Sequence, residues 1–139
     1  MAARILVIDG QGGGLGRQLV AALAAACPEA ELIAVGTNSL ATSAMLKAGA
    51  ARGATGENAV IVNSRRADVI VGPLGIVVAD ALLGEITPAM AAAVGQSSAQ
   101  RVLVPVSQCD TYVAGVPDQP VSRLVAAAAQ QVRALCASE

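Results

Sequence analysis

The sequence has no histidine, no phenylalanine and no tryptophan, and Tyr112 is its one aromatic residue. Histidine is the commonest general base near neutral pH and the commonest metal ligand. Without it, proton transfer would fall to Asp9, Glu57, Cys109 or Tyr112, or to a bound cofactor. Without aromatic faces, nucleic-acid bases find no stacking platform. Charge is scarce too. Nine basic and ten acidic residues leave a net charge of −1, which gives no basic footprint for a polyanion and argues against a nucleic-acid partner. Cysteine is sparse and odd in number. Cys27, Cys109 and Cys136 are widely spaced with no C-x-x-C pair, so neither a zinc site nor a disulfide framework is indicated. Free thiols fit a reducing cytoplasm.

Apolar residues fill the gap. They make up 55% of the chain, charged residues only 14%, and the mean hydropathy is +0.62; an ordinary domain is about 25% charged. A membrane span does not follow. The longest apolar stretch, Val69 to Leu83, contains Gly72, Pro73, Gly75 and Asp80, and a spanning helix needs about 20 uninterrupted apolar residues. The apolar run after Arg4 ends at Asp9, too soon for a signal peptide. The expectation is a cytoplasmic protein of one domain, residues 1–139, whose surplus apolar surface predicts a homo-oligomer.

Strands and helices alternate. Ile5–Ile8 is an apolar run of the kind buried on both faces of a sheet. Arg17–Cys27 reads as a helix stopped by Pro28. Leu32–Val35 is a second strand. Ser39 then suits the N-cap of a helix that ends at Gly49. Residues 51–58 read as a loop. Residues 57–66 fit either a helix or one arm of a hairpin, and topology favours the helix. Val69–Val71 is a strong strand too close to Val62 for a parallel crossover, which takes about a dozen residues or more. A helix is expected from Ile76 to Leu83, and another from Thr87-Pro88 to Val94. Val102–Val106 is a strand, Tyr112–Val116 a short strand or edge hairpin, and Val121–Ala137 a closing helix. This order predicts an α/β fold, a Rossmann-like open parallel sheet of about four to five strands with helices on both faces.

Five glycines fall between Gly10 and Gly16, in the stretch Asp9-Gly10-Gln11-Gly12-Gly13-Gly14-Leu15-Gly16. The spacing Gly10-x-Gly12-x-x-x-Gly16 is a variant of the dinucleotide-binding G-x-G-x-x-G, set between a strand and a helix as that motif requires. Bare backbone there can approach a phosphate, and the helix N-terminus supplies free N–H groups. The alternative is a turn that merely joins strand to helix. It is not a P-loop, because no G-K-[ST] follows. The acid expected after the second strand to hold ribose hydroxyls is absent: that strand runs into Gly36-Thr37-Asn38-Ser39. This leaves room for a 2′-phosphate on Thr37, Asn38 and Ser39 with Arg17 or Arg52. It leaves equal room for another phosphorylated ligand, or for Asn38 and Ser39 as plain caps.

Ligands of open parallel sheets bind outside the carboxyl ends of the strands. The loops 9–16, 36–39, 72–75 and 107–110 belong there. Gly72, Pro73 and Gly75 therefore join the candidate ligand site, as a second anion-tolerant turn or a plain connection. Asp9 would bind a ligand hydroxyl or a metal, or cap the loop's own amides. Cys109 is the thiol best placed for chemistry or for a metal held between subunits, or else a small buried side chain. Cys27 and Cys136 read as packing residues. Glu57, Asn58, Lys47, Asp80 and Glu85 are further polar candidates; Asp80 lies among apolar residues and, if buried there, would need a partner such as Arg101 or a ligand.

The stretches I-D-G-Q-G-G-G-L-G, G-T-N-S-L-A-T-S-A-M-L-K-A-G-A-A-R-G-A-T-G-E-N-A, A-D-V-I-V-G-P-L-G-I and L-G-E-I-T-P-A-M-A resemble a family of short bacterial proteins known as a domain of unknown function. The resemblance extends to about Gly115 and implies a stand-alone, cytoplasmic, Rossmann-like protein with no assigned catalytic residues. Taken together, the expected ligand is NAD(P) or another nucleotide, with no resident metal. The competing expectations are a structural or regulatory homo-oligomer and thiol chemistry at Cys109.

Overall fold

The structure is a computed structural model that describes residues 2–106 and 110–137. Five strands form one sheet: β1 (Arg4–Asp9), β2 (Glu31–Gly36), β3 (Arg52–Thr55), β4 (Val69–Pro73) and β5 (Gln100–Val104). All are parallel, in the order β3-β2-β1-β4-β5. The α-helices among the described residues are α1 (Gly14–Ala26), α2 (Ser39–Ala48), α3 (Glu57–Arg66), α4 (Pro88–Gln96) and α5 (Val121–Ala137).

The β1 sequence explains why both faces are covered. Side chains alternate along a strand, and here both sets are apolar. Ile5 and Val7 enter a core with Leu19, Leu23, Met45 and Val132 from α1, α2 and α5. Leu6 and Ile8 enter a second core with Val60, Ile76, Met90 and Val94, under α3 and α4. All four β1 side chains are essentially inaccessible to solvent. The chain builds outward from β1 to β3 and then returns to start β4 on the other side of β1. The carboxyl edge between β1 and β4 is therefore the switch point where doubly wound sheets form their ligand crevice.

Several boundaries differ from the expectations. Helix α1 starts at Gly14 rather than Arg17, because Gly13 takes a left-handed conformation (φ 72) and its carbonyl accepts the Arg17 N–H at 2.9 Å. Asn38, not Ser39, caps α2, its Oδ1 accepting the Ala41 N–H at 2.9 Å. Residues 52–55, expected as loop, are edge strand β3. Pairing with β2 in the register Ile33↔Arg52 to Gly36↔Thr55 makes this strand, not a hydrophobic pattern of its own. Residues 57–66 are helix, as topology favours. Strand β5 begins at Gln100 and ends at Val104, two residues earlier than expected at each end.

The helix expected over 76–83 is absent. A short 3-10 turn, Leu74–Val77, is followed by a loop that closes on itself, with Asp80 N–H donating to the Ile86 carbonyl at 2.7 Å and Ile86 N–H to the Ala81 carbonyl at 3.1 Å. Asp80, Leu82, Leu83 and Gly84 all have positive φ, which a right-handed helix forbids. Helix α4 follows the expectation: Thr87 Oγ1 accepts the Met90 N–H at 3.1 Å and Pro88 is the first helical residue. Tyr112–Val116 is irregular rather than strand, closed by a Val116-to-Val113 turn bond of 3.2 Å.

Candidate functional site

The glycine loop is fastened at both ends by one buried carboxylate. Asp9 sits at the tip of β1. Its Oδ1 accepts the Gly10 N–H at 2.8 Å and its Oδ2 accepts the Gly16 N–H at 2.6 Å. Burial pushes this carboxyl above its ordinary range, the two amides pull it down, and the charge of Glu85 pushes it up again, for a net rise. Asp9 therefore serves the loop's own amides.

A second carboxylate reaches the same loop from far along the chain. Glu85, at the end of the 78–86 loop, accepts the Gln11 N–H on Oε1 at 2.8 Å. The same oxygen accepts the Asn38 side-chain amide at 3.0 Å and the Thr37 hydroxyl. Asn38 Nδ2 also donates to the Gln11 carbonyl at 2.9 Å. Burial raises the Glu85 carboxyl, but the Thr37 hydroxyl, the Gln11 N–H and the Asn38 amide outweigh it and hold the group below the usual carboxylate range. Glu85 is thus an anion at the end of β2, where the sequence itself places no acid.

The glycines divide into two kinds. A Cβ on Gly10 would lie 2.7 Å from Thr37 Oγ1 and 2.8 Å from Glu85 Oε1; one on Gly16 would lie 2.7 Å from both Asp9 Cβ and Met45 Sδ. These two, and Gly13 with its positive φ against Ala41, are fixed by the protein's own packing. A Cβ on Gly12 or Gly14 would meet nothing within 4 Å. The N–H groups of Gly12, Gly14 and Leu15 have no hydrogen-bond partner among the described residues. They border a cavity of about 300 Å³ that also touches Gln18, Pro73, Leu82, Val106 and Val121.

The other candidates separate from this point. Pro73 lines the cavity, but Gly72 is a packing residue, since a Cβ there would lie 2.5 Å from the Ile8 carbonyl oxygen. Gly75 is buried in the 3-10 turn, its carbonyl accepting the Val78 N–H at 3.0 Å. The 72–75 segment opens four residues of 3-10 turn, not a helix whose N-terminus could attract an anion. Ser39 is exposed on α2. The Thr37 and Asn38 donors expected to take a 2′-phosphate are committed to Glu85. Arg52 lies toward the opposite edge of the sheet, paired with Glu31 at 2.7 Å. Arg17 borders a separate hollow with Gly12 and Lys47. Glu57 accepts the Thr87 hydroxyl at 2.6 Å, which joins α3 to the start of α4, and Asn58 is exposed beside it. Asp80 is exposed rather than buried, and Arg101 donates to the Ser97 and Ala99 carbonyls at 2.8 and 3.2 Å. Cys27 is buried just past α1, while Cys136 lies in α5. The 107–109 part of the fourth edge loop, with Cys109, lies outside the described residues.

Sequence reasoning missed the role of Glu85 and the cavity wall formed by Gln18, Leu82, Val106 and Val121. The sequence signal for Glu85 is the absence of an acid after β2, which leaves the donors of Thr37 and Asn38 without a local carboxylate.

The described residues contain no helix long and apolar enough to cross a membrane, and no group of three or more acidic or thiol side chains able to hold a metal. A parallel sheet ordered 3-2-1-4-5, with a glycine-rich strand-to-helix loop at its switch point, defines a doubly wound α/β protein. The chain belongs to the family described as domain of unknown function DUF3842, whose model matches residues 4–137. No curated protein matches the sequence. Among solved structures, a universal stress protein in complex with cAMP is similar at 23% identity and a TM-score of 0.42, over 75% of this chain and 98% of that one.

Proposed function

We propose that this protein binds a small phosphorylated ligand of the nucleotide type, with a phosphate on the amides of Gly12, Gly14 and Leu15. One observation carries this reading. Gly12 and Gly14 are bare although neither a close contact nor a positive φ demands it, and the amides beside them are free at a helix N-terminus. Such amides, with the positive end of the helix dipole, suit a phosphate. A side chain at either position would stand between phosphate and backbone. A cavity of about 300 Å³ lies at the small end of the range for ligand sites, and favours a mononucleotide over the full length of NAD(P). Asp9 and Glu57 are occupied by protein donors, which favours a binding module or sensor over an enzyme. Cys27 and Cys136 are thiols rather than disulfide sulfurs, which accords with a reducing cytoplasm.

The test is native mass spectrometry of freshly purified protein against the same sample denatured, then titration with nucleotides to millimolar levels. Added mass that matches a nucleotide and is lost in Gly12→Val is the expected result. No bound mass and no response to any nucleotide would overturn it.

Self-association is a second reading. It is supported by Leu83, Tyr112 and Leu40, which are 96%, 85% and 67% exposed. Light scattering of the purified protein tests it, and a monomer would remove it.

A further inference from the structure

We propose that Glu85 determines which nucleotide this site accepts, by taking the hydrogen bonds of ribose hydroxyls on its free oxygen. The inference rests on the phosphate-site reading above and adds a specificity to it: a 5′-nucleotide with an intact 2′,3′-diol is accepted, and one with a 2′-phosphate is rejected.

Position is the first support. In doubly wound sheets the ribose hydroxyls meet a carboxylate at the end of the second strand. Here the chain at that place is Gly36-Thr37-Asn38, and the carboxylate comes instead from the 78–86 loop, held against Thr37, Asn38 and Gln11. Its contact at Gln11 is next along the loop to Gly12, whose N–H is free. One 5′-phosphoribosyl unit could therefore address the amide and the carboxylate together.

Preorganisation is the second. Oε1 accepts all three protein donors, while Oε2 has no partner among the described residues. Asn38 is itself fixed by its bonds to the Ala41 N–H and the Gln11 carbonyl, both 2.9 Å. Gly10 has no side chain to obstruct the arrangement, and any Cβ there would press on Glu85 and Thr37. A carboxylate so held is acceptor-only at its free oxygen. It can receive a hydroxyl, whereas a 2′-phosphate brings like charge to the same point.

The test is calorimetric titration of the wild-type protein with AMP, 2′-deoxy-AMP and adenosine 2′,5′-bisphosphate, repeated with Glu85→Gln. The expected result is that AMP binds at least about tenfold more tightly than either analogue, the loss expected for one hydrogen bond to a charged group. The gap to the bisphosphate should narrow in Glu85→Gln. Equal wild-type affinity for AMP and 2′-deoxy-AMP would overturn the inference and leave the phosphate site standing. Tighter AMP binding by Glu85→Gln would also overturn it, since Glu85 would then be a plug that ligand must displace. No binding of any of the three would overturn this inference, while the phosphate-site reading is decided by the wider nucleotide titration above. The wild-type comparison needs no variant, so a Glu85→Gln protein that fails to fold does not obscure the outcome.

Discussion

Asp9 Oδ2 and the Gly16 N–H meet at 2.6 Å across a loop of seven residues, and this bond clamps the tip of β1 to the first turn of α1. Burial is the larger influence on the Asp9 carboxyl and raises its pKa despite the two amides. The folded protein thus holds this proton more tightly than the unfolded chain. Linkage then sets the sign. From the ordinary carboxyl value of about 3.9 up to the folded value, the Asp9 contribution to stability falls as pH rises, and above both it is flat. Asp9→Asn removes that slope. It also turns an NH2 group toward one of the two loop amides, leaving a buried donor unmet, at a cost of about 1–3 kcal/mol near pH 7. Urea unfolding from pH 3.5 to 7 measures both. A variant with the wild-type slope would refute the assignment to Asp9.

Glu85 carries the opposite sign. Burial raises its carboxyl, but the hydrogen bonds of Thr37, Gln11 and Asn38 prevail and lower it. Its contribution is complete above the ordinary glutamate value of about 4.3 and fades as pH falls through the folded value. Glu85→Gln keeps an acceptor but loses the charge, so at neutral pH it should cost roughly 1 kcal/mol. The difference from wild type should shrink as the solution is acidified. Paired melts at pH 7 and pH 3.5 decide it: a difference that grows toward acid would contradict the assignment.

The glycines of the loop should respond unequally to alanine. Gly16→Ala places a methyl 2.7 Å from Asp9 Cβ and Met45 Sδ, an overpacking worth about 1–3 kcal/mol. Gly12→Ala and Gly14→Ala meet open space and should change stability by no more than about 0.5–1 kcal/mol in either direction, while nucleotide binding is lost. Melting temperatures of the three variants check this. A Gly12→Ala protein as unstable as Gly16→Ala would mean that Gly12 serves the fold rather than a ligand.

These contrasts also show what the sequence could disclose. Strands β1, β2 and β4 are legible because Ile5–Ile8, Leu32–Val35 and Val69–Val71 are apolar on both faces, the mark of a sheet covered on both sides. Strand β3 is not. Arg52-Gly53-Ala54-Thr55 has neither alternation nor a β-branched run, and it becomes strand because the free edge of β2 supplies backbone partners. The 76–83 stretch misleads in the other direction. Its apolar residues suit a helix, yet its bonds run between Asp80, Ala81 and Ile86 and turn the chain back. That turn carries Glu85 to the glycine loop, 74 residues from Gln11 in sequence. Local pattern therefore finds the glycine loop but cannot find the acid that the 78–86 turn brings against it.

Leu83 offers a last test, because its side chain and its backbone conflict with their surroundings. It is 96% exposed, so it contributes almost nothing to either core. Its φ of 57 is a left-handed conformation that costs an ordinary residue about 1–2 kcal/mol and that asparagine tolerates better. Leu83→Asn should therefore raise the stability of the isolated chain, by roughly 0.5–1 kcal/mol, and remove an exposed apolar group. If Leu83 is a contact between copies, the same change should lower the mass seen by light scattering at equal protein concentration. Thermal melts and scattering on one sample separate the two effects. Greater stability with unchanged mass would free Leu83 of any role in assembly, and lower stability would show that the 78–86 loop relies on contacts of the leucine itself.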